Sequence, residues 1–240
     1  MSERQEYTRD TYPSFGKRYN GEKAIISLTS WKARINTVSK TLFNLIKQCP
    51  GFHIVLVLSE EEFPKKEAEL SENLMLFVNN NLIELLWVYK NYKSFKKILF
   101  TMDKYRTVPV ISADDDCTYN CNYAEELYKV WIKNKTCCIS TYNKILYKNI
   151  IHHQGCSTLY PPNIFNKLDL NISEKILNTF EDDILYSVYL NSINCKTLKI
   201  EKNTNDILKF HDSIEPLDKI WTGNTIKNFK IVEEELKLCK

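Results

Sequence analysis

Residues Val108–Tyr119 read VPVISADDDCTY. A short apolar run around Val110 and Ile111 breaks abruptly into Asp114, Asp115 and Asp116, the pattern of a buried strand that delivers carboxylates to the rim of a sheet. Three adjacent carboxylates repel one another. They belong on a solvated turn or beside a divalent cation, and hard oxygen ligands of this kind suit Mg²⁺, Mn²⁺ or Ca²⁺.

Upstream, three more apolar runs precede this one: AIISL from Ala24, IVLVL from Ile54 and IELLWV from Ile83. The segments between them carry helical spacing. From Thr37 to Gln48, Val38, Leu42, Leu45 and Ile46 share a face, with Asn36 or Thr37 as a cap, and Pro50 and Gly51 end the helix. Lys66 to Val78 reads as a second helix. In YKNYKSFKKILFTMDKY, Phe95, Ile98, Leu99 and Met102 share a face while Lys90, Lys93, Lys96 and Lys97 crowd its start. Strands that are continuously apolar rather than alternating, separated by helices, predict an α/β fold. It is a single-domain, Rossmann-like, mostly parallel sheet with helices on both faces. Ligands in such sheets collect at the carboxyl ends of the strands, near the point where strand order reverses. Thr29–Arg34 and Asp114–Asp116 would then flank one crevice, with the lysines close by.

Downstream the pattern loosens. Asn122 to Lys133 and Asp182 to Asn191 read as helices, as does Ser173 to Asn178. Thr136 to Ser140 and Thr197 to Ile200 read as strands, and Tyr142 to Gln154 fits neither period. Leu159, Tyr160, Pro161 and Pro162 form a stiff turn. Residues 1–22 read as a polar N-terminal arm. The tail, residues 201–240, is expected to pack on the domain; it carries His211, Trp221 and Gly223 and takes no assignment.

Composition removes several function classes. With 33 basic against 30 acidic residues in 240, the net charge of +3 is too balanced to draw nucleic acid by field alone. No apolar run reaches the roughly 18–20 residues of a membrane span, and the opening MSERQEYTRD lacks signal-peptide character, so a cytoplasmic setting is expected. Five glycines leave neither a GxGxxG fingerprint nor a GxxxxGK[ST] loop to cradle phosphates. Eight cysteines form no CxxC pair, and His152, His153 and Cys156 with Cys117 or Cys121 match no usual zinc spacing.

Three chemistries compete for the acidic triplet. As a calcium loop it fails, because Tyr119 stands where the sharp turn requires glycine. As a phosphohydrolase of the haloacid dehalogenase type, DxDxT would make Asp114 the nucleophile and Asp116 the acid/base, with Asp182 or Asp183 as later metal ligands. That motif usually opens its fold, whereas here a βαβαβα unit precedes it. As a DxD site, an extended segment points Asp114 and Asp116 the same way, toward a cation that bridges two phosphates and replaces the missing glycine loop. Asp115 is then a local structural residue.

The succession AIISLTSWKARI, IVLVLSEEEFP, YKSFKKI, ISADDD, TLYPPNIF and FEDDILY resembles a group of bacterial GT-A fold glycosyltransferases associated with capsule and lipopolysaccharide synthesis. The similarity runs from about Lys23 to Ile200. It implies a GT-A domain over residues 23–200, with a nucleotide-binding half at 23–120 and a less regular acceptor half at 121–200. It implies a hexosyltransferase-like transfer from a nucleotide-sugar, a UDP-sugar above all, to a glycan acceptor; a base at Asp182 favours inversion, whereas a retaining enzyme would use the same metal site without one. Lipid-linked acceptors and peripheral contact with the inner membrane face are compatible with it. Residue by residue, it puts Thr29, Ser30 and Arg34 beside the base and ribose, and Lys96 or Lys97 at the diphosphate or sugar. Mn²⁺ or Mg²⁺ falls on Asp114 and Asp116, with His211 as a third ligand, and Asp114 also addresses the nucleotide. Asp182 is the general base toward the acceptor hydroxyl, with Asp183 second. Gly155–Thr158 departs from the glycine-rich run that members commonly carry before LYPP, which makes the acceptor the least transferable part.

Plainer explanations exist for each feature. Lysines commonly cover a solvated helix face, and Arg34 could pair with a surface carboxylate. Glu181–Asp183 could serve only as an N-cap. His211 could be a surface or core histidine, and Trp31, Trp87, Trp131 and Trp221 are core residues by default. A non-catalytic module that binds nucleotide or glycan would share most of the pattern.

Overall fold

The computed structural model describes residues 12–120, 122–147, 150–153, 156–202, 204–210 and 225–238. In the first half, β2 (Ile25–Thr29), β3 (His53–Ser59), β4 (Glu84–Val88) and β5 (Val110–Ser112) follow the four apolar runs. Between them lie α1 (Val38–Gln48), α2 (Glu72–Asn79) and α3 (Lys96–Lys104). All four strands are parallel, in the order β4-β3-β2-β5. Every residue of β3 and β4 is buried, as continuous apolarity requires of strands covered on both sides.

Side chains alternate between two cores. Ile26, Leu28, Leu56, Leu85 and Trp87 join α1 and α2 on one face. Ile25, Val55, Val57, Leu86 and Val88 join α3 on the other. Helix α1 begins after Thr37, which makes no capping bond; its hydroxyl donates to the Arg34 carbonyl at 2.9 Å instead. The helix expected over 66–78 is two pieces, a 3-10 turn at Lys66–Glu69 and then α2, which Ser71 caps through the Leu74 N–H at 3.3 Å.

The N-terminal arm is in part a strand. β1 (Ser14–Gly16) pairs antiparallel with β4, and Tyr12 is buried with its hydroxyl on Asp103 at 3.0 Å. Three residues are too few to show a period. Gly16 sits at φ +86°, and a Cβ there would lie 2.4 Å from the Ile83 carbonyl oxygen. Gly16→Ala is therefore expected to destabilise by about 1–3 kcal/mol in urea titration. An unchanged midpoint would show that β1 contributes nothing.

The second half completes the sheet. After β5 come β6 (Cys117–Tyr119), α4 (Tyr123–Trp131), β7 (Cys138–Ser140) and a hairpin of β8 (Asn143–Tyr147) with β9 (Ile150–His153), where the sequence showed neither period. Then follow β10 (Thr158–Tyr160), α5 (Glu174–Leu177), α6 (Asp182–Ser192), β11 (Thr197–Lys199), α7 (Thr204–Ile207), β12 (Leu208–Phe210) and α8 (Thr225–Leu238). The eight-stranded order is β1-β4-β3-β2-β5-β10-β7-β11, and β10 runs antiparallel to both neighbours. The mostly parallel sheet is thus a mixed one. Within the described part of the tail, β12 pairs with β6, and Phe229 and Val232 of α8 are fully buried in the core that also holds α6.

Candidate functional site

Strand order reverses between β2 and β5, so the crevice lies where these two strands end. Asp114–Asp116 connect β5 to β6 through a turn. The extended segment expected for them is not formed, because the backbone is held from below. The Thr41 hydroxyl of α1 reaches the carbonyls of Asp115 and Cys117 at 2.8 and 2.9 Å, and the Asp114 N–H donates to the Tyr119 hydroxyl at 2.8 Å. Asn44 accepts the Tyr119 N–H at 2.6 Å, and the Tyr123 hydroxyl donates to the Ser112 carbonyl at 2.5 Å.

Each carboxylate has a different partner. Asp115 is 4% exposed and accepts from the Ser30 hydroxyl at 2.6 Å and from Arg34 at 2.8 Å. Burial pushes its carboxyl up to about 6, against the pull of Arg34 and Ser30. The other arm of the Arg34 guanidinium meets Asp116 at 2.7 Å. Asp114 meets Lys97 at 2.5 Å. Here Asp115 anchors the turn, while Asp114 and Asp116 stand at its two ends, with Asp114 the most open of the three.

Lys96 and Lys97 open α3 and are 1% and 2% exposed, which overturns the solvated-face explanation. Being consecutive on a helix, they face different groups. The Lys96 ammonium contacts Glu62 and Asn91, each at 3.3 Å, and the Lys93 carbonyl at 3.0 Å. Burial draws its pKa down, opposed by Glu62. Lys97 reaches Asp114 and also Asp182, at 3.2 Å. Burial alone would lower its pKa, but those two carboxylates outweigh it and hold it well above the ordinary value.

Asp182 starts α6 and is 7% exposed. Burial raises its pKa, opposed by Lys97. Its Oδ2 lies within charge contact of Lys97 but outside hydrogen-bonding geometry, so this buried oxygen has no hydrogen-bond donor. The place of Asp182 in the first turn of α6 also suits the helix dipole, as the plainer explanation has it. Glu181 holds the cap position without a capping bond and accepts instead from Asn228 of α8 at 3.3 Å, while Asp183 accepts the Ile184 N–H at 3.0 Å. Outside this pair, Lys93 lies 3.6 Å from the Phe180 ring centroid and donates to the Leu177 carbonyl at 2.9 Å.

Of the expected nucleotide contacts, Thr29 donates to the Val57 carbonyl at 2.7 Å, and Ser30 and Arg34 are engaged with the acidic turn. His211 lies outside the described residues, as do Trp221, Gly223 and Cys121. Trp87 and Trp131 are core residues, as expected by default. Thr41, Asn44, Glu62, Asn91, Tyr119 and Tyr123 were not visible as site residues in the sequence. Their roles depend on partners up to 76 positions away.

Among the described residues no cluster of three histidine, cysteine or acidic side chains is placed to hold a metal; Cys121 of the zinc grouping lies outside them. A Mg²⁺- or Mn²⁺-type site needs less from the protein. One or two carboxylates suffice when phosphates and water complete the shell, and Asp114 and Asp116 at the rim fit that demand.

The mostly parallel mixed sheet flanked by helices, with carboxylates at the β2/β5 switch, is a GT-A type fold, as the following comparisons show. No protein-family profile and no curated protein matches the sequence. Among solved structures, the chain is similar to S. aureus TarS residues 1–349 in complex with UDP-GlcNAc. The TM-score is 0.60 at 12% identity, over 87% of this chain and 64% of that one. TarS 1–349 in a second structure gives 0.54 at 12% identity, over 79% and 60%. The mannosyltransferase PcManGT from Pyrobaculum calidifontis, in complex with GDP-Man and Mn²⁺, gives 0.52 at 8% identity, over 78% and 56%. The chain therefore spans less than two thirds of each of these proteins. Among the described residues no helix is long and apolar enough to cross a membrane.

Proposed function

We propose that this chain is a metal-dependent glycosyltransferase. It would move a sugar from a nucleoside-diphosphate sugar, a UDP-sugar in the first instance, to a glycan acceptor of capsule or lipopolysaccharide synthesis at the inner membrane face, with inversion. One observation carries this reading. Rim carboxylates at the end of β5 face a second, buried carboxylate at the start of α6, with one ammonium between them. The nucleotide-sugars and Mn²⁺ bound by the neighbouring folds lend it support.

Asp114 and Asp116 would hold the cation, which when bound neutralises charge on the departing diphosphate. Asp182 would take the proton of the acceptor hydroxyl as that oxygen bonds to the anomeric carbon and the carbon–diphosphate bond breaks, releasing the nucleoside diphosphate. A carboxyl raised by burial is a stronger base than an exposed one, which suits this role. Asp183 is the second choice for it. Ser30 and Arg34 act on the nucleotide through the turn they hold.

A thermal-shift screen of nucleotide sugars with and without Mn²⁺ identifies the sugar donor, since specific binding stabilises the folded chain. In calorimetry, Asp116→Asn is expected to bind UDP equally with and without Mn²⁺, in contrast to the wild type. Retained Mn²⁺ dependence would remove Asp116 from the cation site.

A further inference from the structure

Lys97 occupies the position that a cation on Asp114 would contest. Its side chain is 3% exposed, and its ammonium lies 2.5 Å from Asp114 Oδ1 and 3.2 Å from Asp182 Oδ2. The charge is not what seats α3, because Phe95, Ile98, Leu99 and Met102 already pack that helix on the sheet. The Ser27 hydroxyl also holds the Lys97 carbonyl at 2.5 Å. An ammonium and a divalent cation on one carboxylate repel each other, strongly so where water is scarce. Nor do the described residues offer a full set of metal ligands on their own. A diphosphate supplies both what is missing, oxygen ligands and negative charge. The same diphosphate offers the displaced ammonium a new negative partner.

We propose that Lys97 is a positioning residue that acts as a resident counter-ion. It holds Asp114 while the crevice is empty, keeps free divalent cation out, and releases Asp114 when a sugar-nucleotide diphosphate arrives with its cation, its charge then facing the diphosphate. Metal binding is thereby conditional on nucleotide. This rests on the sugar-nucleotide reading of the site.

The test is Mn²⁺ titration without nucleotide, followed by the free-ion electron paramagnetic resonance signal, on wild type, Lys97→Met, Lys97→Arg and the double variant Lys97→Met/Asp182→Asn. The double variant removes one charge of each sign, so it keeps the local balance if Lys97→Met alone fails to fold. Lys97→Met and the double variant are expected to bind Mn²⁺ alone at least about tenfold more tightly than wild type. Lys97→Arg should stay near wild type. A lysine with only a structural role would lower the melting temperature without raising Mn²⁺ affinity. Mn²⁺ affinity no higher than wild type in both Met variants overturns the proposal. Absence of Mn²⁺-dependent UDP binding by the wild-type chain overturns instead the reading on which it rests.

Discussion

Asp182→Asn is expected to keep UDP binding and the fold while lowering turnover of the identified sugar donor by at least about a hundredfold, the usual worth of a positioned general base. The carboxyl is buried, raised, and left with one oxygen lacking a hydrogen-bond donor. Asparagine keeps the shape, and Lys97 keeps Asp114 as its counter-ion, so the melting temperature should stay within a few degrees of wild type. A drop in activity without a drop in stability is the signature of a functional acid. Near-normal turnover would move the role to Asp183, or point to a retaining reaction that needs no base. The anomeric configuration of the product, read by NMR, separates those two.

Arg34→Met is expected to cost about 3–5 kcal/mol of stability at pH 8, because it leaves buried Asp115 without its counter-ion. The loss should shrink at pH 5, and the sign follows from proton linkage. Asp115 has a folded pKa of about 6, above its ordinary value, so the fold binds its proton more tightly than the unfolded chain does. Ionising Asp115 therefore removes stability as pH rises from about 4 through about 6. Without Arg34 the folded value climbs further, and the variant keeps losing stability above the point where wild type levels off. Urea unfolding at the two pH values checks this. An equal loss at both, or one below about 1 kcal/mol as for a surface pair, would refute a buried role for Arg34.

The four parallel strands were legible because AIISL, IVLVL, IELLWV and VPVIS are continuous apolar runs bounded by polar turns, a pattern that needs no tertiary information. The pairing of Thr29–Arg34 with the acidic triplet followed from topology alone. Antiparallel β10 was not legible, since three residues give no period and their place between β5 and β7 is decided by neighbours. Burial of Lys96 and Lys97 was hidden for another reason. The carboxylates that make it tolerable, Glu62, Asp114 and Asp182, come from three distant segments. The turn at 114–116 was misjudged as extended because Thr41 and Arg34, which bend and hold it, lie on other elements.

The contact of Lys93 with Phe180 ties the approach to α3 to the approach to α6, a few residues from the place where Lys97 meets Asp182. Both residues adopt left-handed backbone, at φ 52° and 58°, a strain of about 1–3 kcal/mol each that the surrounding contacts must outweigh. Two contacts of different chemistry, a cation on an aromatic face and an ion pair, therefore bridge the two sides of the crevice, so a change at Lys97 still leaves Lys93 on Phe180 between them.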